Sequence, residues 1–293
     1  MVTLMRPEGN EPGDLHLTRR GIAGAFFAGY AAAALSAQAE PIHTDDVGLI
    51  VETVVVPSGD FQLPAYVARP HGAGPRRPAI LVASEIFGIH DYIKDVCRRL
   101  AKLGYVAIAP AFFARVGDPA PLSDMKAVMA IVQKASDQQV MSDVGATLAW
   151  LKARPFVNAR ELAITGFCWG GGTTWLSCET WPQLRCGVAW YGKLARQPNP
   201  DPNRLWPLEL ADRLGAPVLG LYGAKDPLAQ GVPAMREALA KAGKTGSEII
   251  VYPDAGHGFH ADYRASYVEA DAKDGWSRML AFFAAHGVAP ARA

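Results

Sequence analysis

Cysteine is scarce in this chain, with four in 293 residues. No two stand at the C-x-x-C spacing of a zinc or dithiol redox site, and four in so long a chain make no disulfide framework. Charge of one sign is lacking as well. Twenty-nine basic residues face 28 acidic ones for a net +1, and no basic block occurs, so no nucleic-acid footprint is expected. No G-x-G-x-x-G follows a strand-like run, and no His/Cys cluster has metal-ligand spacing; neither a dinucleotide, another cofactor nor a metal is expected. The 29 glycines and 22 prolines follow no period, which excludes a collagenous chain, and internal repeats and low-complexity linkers are missing too. What remains is a globular composition, 50% apolar and 19% charged, of a length that one large core can hold.

The N-terminus carries the first positive signal. Thr18-Arg19-Arg20 precedes an uncharged stretch, Gly21 to Gln38, that closes in Ala37-Gln38-Ala39, the small-x-small pattern of a signal-peptidase site. Paired arginines before a mildly apolar segment mark a twin-arginine (Tat) export signal. The stretch is too rich in alanine to make a stable membrane anchor. Residues 1–39 are therefore expected to be a Tat signal peptide, with the Tat translocase as partner in transit. Residues 40–293 would form one periplasmic or secreted domain after cleavage near Ala39.

Within that domain, short apolar runs alternate with helical stripes. Leu49 to Val56 and Leu63 to Val67 flank the turn signal Pro57-Ser58-Gly59-Asp60 and read as a leading hairpin. Ala79 to Ala83, Tyr105 to Ala109, Leu162 to Thr165, Val188 to Tyr191, Val218 to Tyr222 and Ile249 to Tyr252 read as buried strands. Helices are expected over Tyr92 to Leu103 (closed by Gly104), Val140 to Leu151 and Gly170 to Cys178, around Met235, Leu239 and Ala242, and around Trp276, Leu280 and Phe283. Gln197 to Arg204 reads as a surface loop. The alternation predicts an α/β fold: a mostly parallel, doubly wound sheet with helices on both faces and an antiparallel hairpin in front.

Gly166-Phe167-Cys168-Trp169-Gly170-Gly171 follows one such strand and opens a helix. Small residues on both sides of a nucleophile in that context make a nucleophile elbow, a turn so tight that neighbouring backbones nearly touch. The turn lifts Cys168 above the sheet edge and aims the Trp169 N–H at the place where an oxyanion forms. The helix N-terminus favours a thiolate there. Asp226 follows the strand ending at Tyr222, and His257 follows the one ending at Tyr252, so nucleophile, acid and histidine stand in the chain order of an α/β-hydrolase. The rivals read differently: Asp254 as a turn residue too close to its histidine, His260 as lacking the flanking glycines of His257, and Ser177 as lying inside a helix. Cys97, Cys178 and Cys186 read as buried and inert. Glu85, at the tip of Ala79 to Ala83, sits where open α/β sheets bind ligands.

With these residues in place the chain resembles the dienelactone hydrolase (carboxymethylenebutenolidase) family, α/β-hydrolases with cysteine in the place of serine. The resemblance runs from about Val51 to the C-terminus. It rests on Ser84-Glu85-Ile86-Phe87-Gly88, the Cys168 elbow, Trp190-Tyr191-Gly192, Gly223-Ala224-Lys225-Asp226 and Ala255-Gly256-His257-Gly258-Phe259. It implies that Glu85 approaches the nucleophile and that the Ile86 N–H is the second oxyanion donor. It implies Tyr191 as a substrate contact and Arg115 as the first of two arginines that bind a substrate carboxylate. The second arginine position is Ala261 here, and Arg264, three residues on, is the candidate replacement. The activity implied is cleavage of an enol-lactone or related small-molecule ester, possible carboxylate-bearing substrates included, through a Cys168–His257–Asp226 triad and a thioester. A broad carboxylesterase on the same triad is the nearer alternative, and a non-catalytic thiol-redox or binding protein the more distant one.

Overall fold

The computed structural model describes residues 41–72, 74–196 and 204–290; the expected export signal and most of the Gln197 to Arg204 loop lie outside the described residues. Gly59, at φ +61°, turns the chain between β1 (Leu49–Ser58) and β2 (Phe61–Pro70), which pair antiparallel from Leu49↔Pro70 to Ser58↔Phe61. The chain then runs through β3 (Arg77–Ala83), α1 (Asp91–Lys102), β4 (Val106–Pro110), α2 (Met125–Val132), α3 (Asp137–Lys152), β5 (Val157–Phe167) and α4 (Trp169–Thr180). It ends with β6 (Cys186–Trp190), β7 (Val218–Gly223), α5 (Val232–Lys241), β8 (Glu248–Tyr252) and α6 (Glu269–Ala285).

The sheet has eight strands in the order β1-β2-β4-β3-β5-β6-β7-β8. β2 joins β4 antiparallel, and every later pairing is parallel. β4 and β6 are apolar along their length, as is β3 from Pro78 to Ala83, because both faces are covered. On β3, Ala79, Leu81 and Ala83 face the core that includes Val144, Leu148 and Trp175 of α3 and α4. Ile80 and Val82 face the core that includes Val96 and Leu100 of α1 and Met279 and Phe283 of α6. Parallel strands put all their C-terminal ends on one side, so the segments after β3, β5, β7 and β8 meet there. Those segments carry Glu85, Cys168, Asp226 and His257.

One helix has no counterpart in the sequence reading. α2 spans eight residues, and its cap is Asp124, whose carboxylate accepts from the Lys126 and Ala127 N–H groups at 3.2 Å. Cap-then-apolar-run is a real start signal. In so short a segment it is masked by the surrounding polar loop.

The hairpin is fastened to α3 by a charge. Asp143, fully buried, accepts from Ser58 Oγ at 2.6 Å and from Arg115 Nη1 at 2.6 Å, and Arg115 Nη2 donates to the Ser58 carbonyl at 3.3 Å. The guanidinium also lies over the Phe61 ring, 4.4 Å from its centroid. Here the structure gives Arg115 a structural occupation where the resemblance implied a substrate contact: both terminal nitrogens of its guanidinium are bonded within the protein. Removing it strands a buried carboxylate, which costs about 3 kcal/mol or more. Arg115→Met should therefore lower the urea midpoint by that equivalent at an unchanged m-value. A midpoint equal to the parent's would show that Asp143 is solvated without it.

Candidate active site

Cys168 sits between β5 and α4 at φ +55°, ψ −113°, a conformation that costs a non-glycine residue roughly 1–3 kcal/mol. Its surroundings hold it there. The Cys168 N–H donates to the Trp190 carbonyl at 3.0 Å, and its carbonyl accepts from the Gly171 N–H at 3.0 Å. A Cβ on Gly166 would lie 2.1 Å from the Gly170 carbonyl oxygen, and one on Gly170 would lie 2.1 Å from the Ala83 oxygen. Glycine is thus required at both flanks. Trp169 is the first residue of α4, so its N–H has no acceptor within the helix. Its ring packs on Phe112 and Phe113, with centroids 5.9 and 4.8 Å away. The same close approach brings the end of β3, and with it Glu85 and Ile86, beside the elbow.

The other two strand ends are pressed together in the same way. A Cβ on Gly223 would meet the Ala255 oxygen at 2.4 Å. Asp226 caps the short helical turn Pro227–Gly231 through Oδ1, which accepts from the Leu228 N–H at 2.9 Å. Its Oδ2 is left for His257 Nδ1, 2.7 Å away. Cys168 acts on the same imidazole. Burial works against a charged imidazole here, yet the negative charges at Cys168 and Asp226 prevail and hold its pKa well above the ordinary histidine range. Tyr191, itself at φ +41° and fully buried, sets the edge of its ring against His257 with centroids 5.1 Å apart.

Glu85 is wholly buried. Its Oε2 accepts from Tyr263 OH at 2.5 Å and lies 3.3 Å from His90 Nε2, while its Oε1 lies 3.2 Å from Arg264 Nη2. Burial alone would raise its pKa. The Arg264 guanidinium and the His90 and Tyr263 hydrogen bonds outweigh burial and hold the carboxyl down to about 2. Arg264 is itself buried beside Tyr263 OH, to which its Nε donates at 2.9 Å. The structure thus brings Arg264 to the site but pairs it with Glu85, so a substrate carboxylate would have to share or displace that pairing. His90 and Tyr263 were missed in the sequence; only their adjacency to the Glu85 loop and to Arg264 pointed at them.

The rivals fall elsewhere. His260 Nδ1 is hydrogen-bonded to Tyr92 OH at 2.6 Å, and its ring stacks on Phe167 and Trp276; burial, helped by Arg99, lowers its pKa to about 3 and keeps it neutral. Ser177 donates to the Thr173 carbonyl inside α4. Burial pushes the thiols of Cys97 and Cys178 far up and that of Cys186 up to about 12. Among the described residues no group of three or more His, Cys, Asp or Glu is placed to hold a metal ion, and no helix is long and apolar enough to cross a membrane.

A mostly parallel eight-stranded sheet with an elbow after its fifth strand and Asp and His after its last two defines an α/β-hydrolase. The model of the dienelactone hydrolase family matches residues 63–287, and the chain belongs to that family. It is 48% identical over 257 residues to a protein of Methylorubrum extorquens named "Putative carboxymethylenebutenolidase", covering 85% of each chain. It is 45% identical over 262 residues to a Salmonella typhimurium protein of the same name, covering 88% of this chain and 96% of that one. A crystal structure titled as a "Putative Dienelactone Hydrolase" of Klebsiella pneumoniae superposes with a TM-score of 0.76 at 48% identity, covering 80% of this chain and 98% of that one. The protein is accordingly a carboxylic ester hydrolase acting on a small-molecule ester.

The Glu85 cluster yields a signed pH dependence. A carboxyl held down to about 2 from an ordinary 4.5 contributes stability that is present above 4.5 and is lost as pH falls toward 2. The urea midpoint of the parent should fall across that window more steeply than that of Glu85→Gln. Parallel curves would mean that Glu85 is not held ionised by Arg264.

Proposed function

We propose that this hydrolase cleaves an enol-lactone or a related activated ester by covalent catalysis at Cys168. The observation that carries the reading is the position of His257, bonded to Asp226 through Nδ1 and under the direct influence of Cys168, the residue at the elbow. Asp226 fixes the imidazole orientation and supports its positive charge. With the proton on His257, the Cys168 thiolate attacks the carbonyl carbon, and the electron pair of the C=O moves onto its oxygen. The N–H groups of Ile86 and Trp169 receive that oxyanion, an effect worth about 3 kcal/mol per donor. Collapse breaks the bond to the leaving oxygen, which takes the proton from His257 and departs as an enol or alcohol. The acyl group remains on sulfur as a thioester. His257 then takes a proton from water, the hydroxide attacks the thioester, and the acid leaves as the thiolate–imidazolium pair is restored. A thiolate suits substrates whose leaving group is stabilised, as an enolate is, better than amides.

Cys168→Ala should abolish hydrolysis of an enol-lactone while leaving the circular dichroism and urea midpoint near the parent's. Cys168→Ser should be far poorer than the parent, because the site supplies a base matched to a thiol. Near-normal kcat in Cys168→Ala would defeat the proposal. Turnover of activated aryl esters without any enol-lactone turnover would instead assign a broad carboxylesterase on the same residues.

The same reading includes export: Thr18-Arg19-Arg20 and Ala37-Gln38-Ala39 support a Tat signal removed after Ala39. A chain with Arg19→Lys and Arg20→Lys should stay in the cytoplasm with its N-terminus uncut, whereas the parent should appear outside it beginning at Glu40. Normal export of the doubly substituted chain would exclude Tat targeting.

A further inference from the structure

The segment between β8 and α6 carries His257 near its start and Tyr263 and Arg264, the partners of Glu85, further on. It has no regular structure; short turns hold it internally, as in Ala261 N–H to the Gly258 carbonyl and Arg264 N–H to the Ala261 carbonyl. Between the two functional ends, two of its side chains are hydrogen-bonded to α1. Tyr92 OH bonds His260, and Arg99 Nη2 donates to Asp262 Oδ2 at 2.5 Å. Arg99 is bifunctional: its Nε donates to Asp95, whose carboxylate also receives Arg98 Nη2 at 3.1 Å and the Thr44 N–H at 2.5 Å. Asp95 and Asp262 are each 2% exposed, so the guanidinium bridges two carboxylates with little water between them. Burial pushes the Asp262 carboxyl up, and Arg99 draws it back.

α1 is also the element that the Glu85–Ile86 loop runs into, beginning at Asp91. One helix therefore anchors both the loop bearing the second oxyanion donor and the loop bearing the histidine. We infer that Arg99, held by Asp95 and gripping Asp262, is a positioning residue for ester hydrolysis: it fixes the His257 segment relative to the Ile86 loop. This rests on the Cys168–His257 reading above. Two planar donor edges at a fixed separation are what a guanidinium supplies; an ammonium can satisfy either carboxylate but not hold both at that spacing.

The test uses p-nitrophenyl acetate, a small neutral ester, with the whole chain. Arg99→Lys keeps the charge but loses the fork. It should retain a urea midpoint near the parent's, with kcat lowered roughly 10- to 100-fold and KM unchanged, as expected when reacting groups are displaced by a fraction of an ångström to an ångström. Arg99→Lys with parental kcat, or with a loss no larger than its loss of folded protein, would overturn the inference. Should that variant fail to fold, Asp262→Asn, which weakens the grip from the other side, decides by the same split: lowered kcat at constant KM supports positioning, and parental kcat refutes it. Cys168→Ala, assayed beside them, separates the two readings. Hydrolysis that depends on Cys168 but ignores Arg99 removes only this inference, whereas hydrolysis independent of Cys168 removes the mechanism itself.

Discussion

The arrangement of the site depends on a contact that no side chain makes. Where α4 begins, its backbone lies against the carbonyl of Ala83 at the end of β3, at a distance that even a methyl group on Gly170 would destroy. Gly166 permits the matching approach from β5. Because the two backbones touch, Cys168 is held in its positive-φ turn and the Glu85–Ile86 loop lies beside it and the Trp169 N–H. The strain at Cys168 is local, and the sheet supplies the stability that tolerates it. A second close approach, between Gly223 and Ala255, does for Asp226 and His257 what the first does for the elbow.

The parts of this architecture that were legible in the sequence share a property: they are short-range. The turn Pro57-Ser58-Gly59-Asp60, the apolar run Ala79 to Ala83, and the glycines around Cys168 each announce their conformation within a few residues, because turn sterics and double-sided burial act locally. Chain order extended that reach to Asp226 and His257, since each follows a buried strand of a parallel sheet whose C-terminal ends meet. What stayed hidden is long-range and electrostatic. Arg115 reads as a loop arginine, and nothing near it foretells Asp143, a residue of α3. The Glu85 cluster draws His90, Tyr263 and Arg264 from two separate loops. Helix α2 escaped for a different reason: eight residues make too few turns to display a periodic stripe.

The charged groups around the site are largely spent on one another. Arg115 is engaged by Asp143, Arg264 by Glu85, and Arg99 by Asp95 and Asp262. Pairs at such depth contribute modest net stability, because desolvation offsets most of their attraction. They do fix geometry: a planar guanidinium between carboxylates tolerates little displacement. The region around Cys168 is accordingly rigid by polar contacts on the α1 side and by aromatic packing on the other, where Phe112 and Phe113 hold Trp169.

The four cysteines are distributed unequally. Cys97 and Cys186 are sealed in the layer beneath α1 and α6, and Cys178 in the layer on the opposite face of the sheet; each is fully inaccessible, and burial disfavours its thiolate. Cys168, at 9% exposure, is the one with any surface of its own. Oxidants such as peroxide react with thiolates they can reach, through sulfenic acid and onward. Among the four thiols, oxidation therefore has a single point of entry, the sulfur at the elbow. Under the proposed mechanism that sulfur is also the nucleophile, so its oxidation would end hydrolysis and leave the fold intact, and reduction of the sulfenic acid by thiols would restore it.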